Sequence, residues 1–145
     1  MRKLGNTQWK APHHASSHQD MLSFKEITHE QMKMDATALA LTYLDIFYSG
    51  KNPELLRNIF HSDFQFYGPL YTFDSADEYI HALKENPAVE MEYSIQEIFE
   101  NKDSVCLLYE FRKKQITLPM AQFFEINHDR ISKIQLIFDA SKFKS

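Results

Sequence analysis

From Val89 to Ala140 the apolar residues of the chain recur at every second position. In Ser104–Lys114, Val105, Leu107, Tyr109 and Phe111 alternate with Cys106, Leu108, Glu110 and Arg112. In Ile116–Ile126 one row is Ile116, Leu118, Met120, Gln122 and Phe124, and the other is Thr117, Pro119, Ala121, Phe123 and Glu125. In Arg130–Ala140, Ile134, Leu136 and Phe138 form one row, and Ile131, Lys133, Gln135, Ile137 and Asp139 the other. A side-chain period of two marks β-strands with two distinct faces. Ahead of these, Val89, Met91, Tyr93 and Ile95 alternate with Glu90, Glu92, Ser94 and Gln96, which predicts a half-exposed strand reaching Glu100. Asn101-Lys102-Asp103 and Asn127-His128-Asp129 have the composition of hairpin turns, so a four-stranded antiparallel meander is expected. Neither face of it is polar throughout, and such a sheet must be covered on both sides.

The chain before the meander supplies the cover. Thr28 followed by Gln31 has the form of a capping box and opens a long helix. Its stripe is Met32, Ala36, Leu39/Ala40, Tyr43 and Phe47, and Ser49-Gly50 ends it. Asn52-Pro53 starts a short second helix that brings Leu55, Leu56, Ile59 and Phe60 to the core. Phe64–Tyr67 reads as a short strand stopped by Gly68-Pro69, with Tyr71–Phe73 as its partner. Ser75 and Glu78 form a second capping box for a third helix, which runs to Glu85 before Asn86-Pro87. The fold class is α+β: three N-terminal helices packed on a strongly bent, mainly antiparallel sheet. Residues 27–145 make one domain, and residues 1–26, polar and without a period, are a flexible extension.

Composition narrows the function. Twelve Phe and seven Tyr are an excess suited to lining or filling a wide space under a curved sheet. A net charge of −4 with scattered acids and bases argues against nucleic acid as a partner. No apolar run approaches the roughly 20 residues that cross a bilayer, and the basic start lacks a signal-peptide core. A cytoplasmic location is therefore the expectation, consistent with the lone Cys106, read as an inert thiol within an apolar strand. Three glycines make a phosphate cradle improbable. His14 and His18 have helical metal-ligand spacing but no third ligand, and His81 reads as a surface histidine, so neither a metal nor a cofactor is expected. Asp63 and Asp139 read as a turn residue and a solvated strand end, and Glu110 and Arg112 as an outer-face pair.

The run Tyr43–Glu54, then Ile59–Pro69, then helix and meander resembles the SnoaL-like, nuclear transport factor 2-like superfamily over Asp35–Ala140. The resemblance implies a cone, with helices closing one side of a bent sheet around a pocket. It includes ketosteroid isomerases, cyclases, dehydratases and non-catalytic binders, so fold alone does not choose among them. Isomerase chemistry needs a carboxylate base, a tyrosine and a protonated aspartic acid. The resemblance places the tyrosine at Tyr43, the base at Gly68 and the acid at Ala121, and puts Leu83 where a supporting helix-three tyrosine would stand. With Gly68 and Ala121 in those places, ketosteroid isomerisation is not expected. Tyr43 is the single catalytic candidate.

The pocket lining expected on this basis is Tyr43, Phe47, Phe66, Leu107, Tyr109, Phe111, Ala121, Phe123 and Phe138, with Leu136 beside them. It suits a small apolar or amphipathic molecule, held by a binding protein or by an isomerase-, cyclase- or dehydratase-type enzyme with non-standard residues. Leu108, Met120, Phe124, Ile131 and Ile137 would then face outward as an apolar patch, covered by a homodimer through the outer sheet face. The rival reading is a non-catalytic dimeric interaction or scaffold module whose cone is filled by its own side chains.

Overall fold

The computed structural model describes residues 34–143. The expected extension, the histidines at 14 and 18, the Thr28 capping box and Met32 lie outside the described residues. Helix α1 spans Ala36–Ser49. Asp35 caps it, its carboxylate accepting from the Ala38 amide at 2.7 Å, and Gly50 closes it in the left-handed region at φ 64°. Only glycine fits there, because a Cβ on Gly50 would stand 2.2 Å from the Ala88 carbonyl oxygen. The second expected helix is a 3₁₀ helix, Pro53–Asn58, and Asn52 makes no side-chain cap. It buries Leu56 but leaves Leu55 45% exposed, since a six-residue 3₁₀ turn presents too narrow a face to bury both. Helix α2, Ala76–Glu85, begins as expected: Ser75 accepts from the Glu78 amide at 3.1 Å, while Glu78 reaches back to the Asp74 amide at 3.1 Å.

Six strands form one sheet: β1 (Phe60–Tyr67), β2 (Thr72–Phe73), β3 (Met91–Glu100), β4 (Ser104–Lys113), β5 (Ile116–Asn127) and β6 (Arg130–Ile137). Their spatial order is β2-β1-β6-β5-β4-β3. The meander is antiparallel, as predicted, and β1 joins it by a parallel pairing with β6. Strand β1 starts four residues earlier than the sequence pattern indicated, at Phe60. It is followed by β2 and then by α2, the order the sequence pattern indicated, and the described elements on the sheet are two α-helices and a 3₁₀ helix in place of three N-terminal α-helices.

The register decides which rows face the helices. Phe111 pairs with Leu118, Tyr109 with Met120, Leu107 with Gln122 and Val105 with Phe124. Directly opposed residues share a face, so β5 turns Leu118, Met120, Gln122 and Phe124 inward. This corrects the expected assignment: Met120 (6% exposed) and Phe124 (0%) are core residues. Ala121 and Phe123 lie outside, opposite Leu108 and Cys106. The cause is the two-residue turn Lys114-Gln115, with Lys114 at φ 54°, which pairs Lys113 with Ile116 and thereby fixes the parity of the whole strand. Ile131 is also inside, fully buried, because a bulge at Ser132 on β6, opposite Glu125 and Ile126, resets the alternation and pairs Ile126 with Ile131. A second bulge, between Ile95 and Glu97 on β3, keeps Tyr93, Ile95 and Ile98 opposite Phe111, Tyr109 and Leu107. Leu108 and Ile137 are outward as expected, across from and beside Ala121, and Ile137 is 54% exposed.

Candidate functional site

The core between helices and sheet is aromatic at both ends and polar in the middle. At the closed end, Phe60 stacks on Phe64 with ring centroids 3.8 Å apart, and Tyr79 stacks on Phe66 at 4.8 Å. Tyr43, from the inner stripe of α1, meets Phe124 edge-on at 5.5 Å and Phe47 at 6.0 Å. At the open end Tyr48 lies 4.7 Å from Tyr93 and 6.4 Å from both Tyr109 and Phe111. A 3₁₀ turn, Ala140–Phe143, folds over this end and sets Phe143 edge-on against Phe111 at 5.8 Å and Phe138 at 5.3 Å.

Hydroxyls gather in the middle. Tyr43 and Tyr79 are hydrogen-bonded through their phenol oxygens at 2.5 Å. Gln122 donates its Nε2–H to the Tyr109 hydroxyl at 2.7 Å. Gln122 is 2% exposed, and its Oε1 has no hydrogen-bond partner among the described residues. Burial pushes Tyr43 well above the ordinary phenol value, and the adjacent Tyr79 hydroxyl adds to the effect. Burial likewise raises Tyr79 and Tyr109, and takes Tyr48 up to about 12. All four phenols are therefore neutral donors and acceptors near pH 7, and none is a base.

The cone interior is closed. Tyr43, Leu107, Tyr109, Gln122 and Phe124 are each at most 2% exposed, which leaves no water-sized void against them. A cavity of about 10 Å³ lies under α1, lined by Ile46, Phe47, Leu56, Leu83 and Ala88, with room for about one water. Of the expected lining, Tyr43, Phe66, Leu107, Tyr109 and Phe111 are buried and inward, and Phe47 and Phe138 are half-buried against the core. Ala121 and Phe123 are on the opposite face.

Carboxylates stand outside this cluster. Asp45, exposed on α1, accepts from the Tyr93 hydroxyl at 2.9 Å, and burial together with that carboxylate raises Tyr93. Glu100 accepts from Thr37. Asp63 is 87% exposed, and Asp139 is held below the usual carboxylate range by hydrogen bonds from Ser141. Arg112 bridges Glu110 and Glu92, each at 3.0 Å. A shallow groove of about 410 Å³ beside α2 is lined by Arg57, Asp77, Glu78, Ile80, His81 and Lys84. Its charges are internally paired: Arg57 binds Glu54 and Asp77, Lys84 binds Glu54, and His81 lies 3.2 Å from Glu85. Arg57 and Lys84 hold the Glu54 carboxyl at about 2. Among the described residues no three potential ligands converge as a metal site, and no helix is long and apolar enough to cross a membrane.

Sequence reasoning missed two members of the polar centre. The helix-three partner of Tyr43 is Tyr79, one turn before the expected Leu83; its position on the buried stripe with Ile80 was a readable signal. Gln122 was legible only as a polar interruption of an otherwise apolar row.

The model of the SnoaL-like domain family matches residues 40–134. Solved structures share the fold. An NTF2-like protein of unknown function from Cytophaga hutchinsonii superposes with a TM-score of 0.63 at 18% identity, over 74% of this chain and 92% of the other. A protein of ketosteroid isomerase-like fold from Catenulispora acidiphila, in complex with trimethylamine, gives 0.62 at 16% identity, over 74% and 89%. A candidate SnoaL-like polyketide cyclase from Jannaschia sp. CCS1 gives 0.58 at 14%, over 74% and 90%. No curated protein matches the chain.

Proposed function

Because the chain belongs to the SnoaL-like domain family, we propose that it is a non-catalytic binding protein whose cone takes one small, neutral, largely apolar molecule. The observation that carries this reading is the polar centre, three phenols and an amide set inside an aromatic core with one acceptor unsatisfied among the described residues. Buried polar groups without a partner are uncommon and costly in cores that only hold a fold together. Proton-transfer chemistry of the isomerase or cyclase kind asks for a base, and the neutral phenols and Gln122 offer none. The relative in complex with trimethylamine supports the idea that such a fold accommodates a small molecule. Because the interior is filled, entry requires side chains to move aside, and Phe143, half-buried with Phe47, Tyr48 and Phe138 and packed edge-on against Phe138, is the one whose displacement the reading invokes. Saturation-transfer NMR with neutral bicyclic aromatics, 2-methoxynaphthalene among them, tests it. The expected result is transfer to at least one probe and faster association with Phe143→Ala. No transfer to any probe from either protein overturns the reading.

A second reading concerns the outer face. Cys106, Leu108, Ala121 and Phe123 are half-buried there, and Ile137 is 54% exposed. These residues form one apolar row across β4, β5 and β6 and support a sheet-to-sheet homodimer, with about 800 Å² buried per partner. The row differs from the expected one, with Ala121 and Phe123 in place of Met120, Phe124 and Ile131. Light scattering on the full chain tests it, and a monomer at all concentrations refutes it.

A further inference from the structure

We propose that the C-terminal turn is an autoinhibitory strap. Phe143 fills the mouth of the cone as the chain's own ligand, and the turn swings out about Asp139 to vacate that place for another aromatic ring. This rests on the binding reading above and adds the device that regulates the same site.

The way the turn is attached leads there. Strand β6 ends at Ile137, and the 3₁₀ turn Ala140–Phe143 follows after two residues. Asp139 organises it. Its carboxylate accepts from the Ser141 amide at 3.1 Å and from the Ser141 hydroxyl at 2.7 Å, and its carbonyl accepts from the Lys142 amide at 3.2 Å. Among the described residues, the hydrogen bonds that tie the turn to the rest of the fold all run to Asp139. Ser141 and Lys142 are exposed. One side chain therefore holds the turn down: Phe143, half-buried and set edge-on against Phe111 at 5.8 Å and Phe138 at 5.3 Å. Strand β6, by contrast, is paired on both sides, with β5 and with β1. Lifting the turn costs the burial of one ring and leaves every strand pairing intact, so it opens well below the free energy of global unfolding.

Opening uncovers an aromatic wall. Phe111 is the last of the inner row Val105, Leu107, Tyr109 and Phe111 on β4, and it is 4% exposed beneath Phe143. Its other ring neighbour is Tyr48, at 6.4 Å. With Phe143 withdrawn, Phe111, Phe138 and Tyr48 border a space the size of one benzyl group. In the closed state the chain's own ring takes that space. An uncharged ring of the same shape replaces it contact for contact, edge-on to the same two phenylalanines. A charged molecule finds no ionic partner among these three rings.

The test uses the full chain and toluene, which is the phenylalanine side chain as a free molecule. Dissociation constants are measured by NMR titration for the wild type, Phe143→Ala and Ser141→Ala. A site whose competent state is a minor fraction binds more weakly by that fraction. Burial of half a phenylalanine ring and two edge-on contacts keep the strap shut, so Phe143→Ala should bind toluene about ten- to a hundredfold more tightly than the wild type. Ser141→Ala keeps the ring but loosens the turn, and its affinity should fall between the two. Nuclear Overhauser contacts from toluene to the Phe111 and Phe138 rings should locate the ligand in Phe143→Ala. Equal affinity in the wild type and Phe143→Ala overturns the strap and leaves the binding reading standing, as does toluene bound away from Phe111 and Phe138. Ser141→Ala indistinguishable from the wild type overturns the hinge at Asp139. Failure of all three proteins to bind toluene overturns the strap, and the naphthalene probe above then decides the binding reading on its own.

Discussion

The Tyr43–Tyr79 pair offers a stability measurement whose size can be set in advance. Both rings are buried, at 2% and 3% exposure, and among the described residues their hydroxyls are bonded only to each other across α1 and α2. Tyr43→Phe removes one oxygen and leaves the Tyr79 O–H buried without its partner. The lost bond and the stranded hydroxyl together cost about 1–3 kcal/mol, and Tyr79→Phe should cost a similar amount. The double variant strands nothing, and replacing both partners by apolar rings of the same shape costs about 0–1 kcal/mol. The two changes are therefore strongly non-additive, with a coupling of at least ~1 kcal/mol. Urea unfolding followed by far-ultraviolet circular dichroism reads this directly. With a slope of about 2 kcal/mol per molar, each single variant moves the midpoint down by about 0.5–1.5 M, and the double variant recovers most of it. Additive losses, or single variants that unfold with the wild type, would show that the two hydroxyls do not depend on each other.

Four further expectations follow from other parts of the molecule. Gly50→Ala places a Cβ 2.2 Å from the Ala88 carbonyl at a positive φ, and should destabilise by about 2 kcal/mol or more; an unchanged urea midpoint would contradict the cap geometry. Tyr43, Tyr48, Tyr79, Tyr93 and Tyr109 all have raised values in the folded state. Above about pH 10 the unfolded chain sheds phenol protons that the folded one keeps, so the phenols' contribution to stability is level below pH 10 and falls above it. A melting temperature that holds steady from pH 10 to about 12 would refute this. Phe123→Asp, on the outer face, should convert the proposed homodimer to a monomer in light scattering, and an unaffected dimer would place the interface elsewhere. Finally, the chain should show no 3-oxo-Δ5-steroid isomerase activity above background, and turnover of about 1 per second or faster would reveal a base outside Gly68 and Ala121.

The meander was legible because alternation over eight or more residues admits few alternatives, and the Ser75/Glu78 box because capping is local chemistry. Which row of β5 faces in was not legible, since both rows carry apolar residues and parity passes through a two-residue turn whose register no single residue announces. Once Phe111 is set inward, that turn dictates Leu118, Met120, Gln122 and Phe124. Reading across it, rather than along each strand, would have exchanged Phe123 for Phe124 and brought Gln122 to notice. The bulges at Gln96 and Ser132 are unreadable for a related reason: an extra residue shifts the period without leaving a compositional mark. The Tyr43–Tyr79 bond joins two helices separated by two strands, so only tertiary structure could show it.

The parallel pairing of β1 with β6 has a consequence for how the protein is made. Phe60 and Phe66 lie opposite Ile131 and Ile134, more than a third of the chain away. During synthesis β1 therefore emerges long before its partner exists, with Phe64 and Phe66 unsheltered. The hairpins β3–β4 and β4–β5 join near neighbours and close early, whereas the pairing that locks β1 in place waits for the last strand. Until then an apolar strand has a free edge, the state in which nascent chains stick to one another or recruit chaperones. A ribosome stalled just short of Arg130 should hold a chain with the meander begun and β1 still open to proteases, and release of β6 should close it.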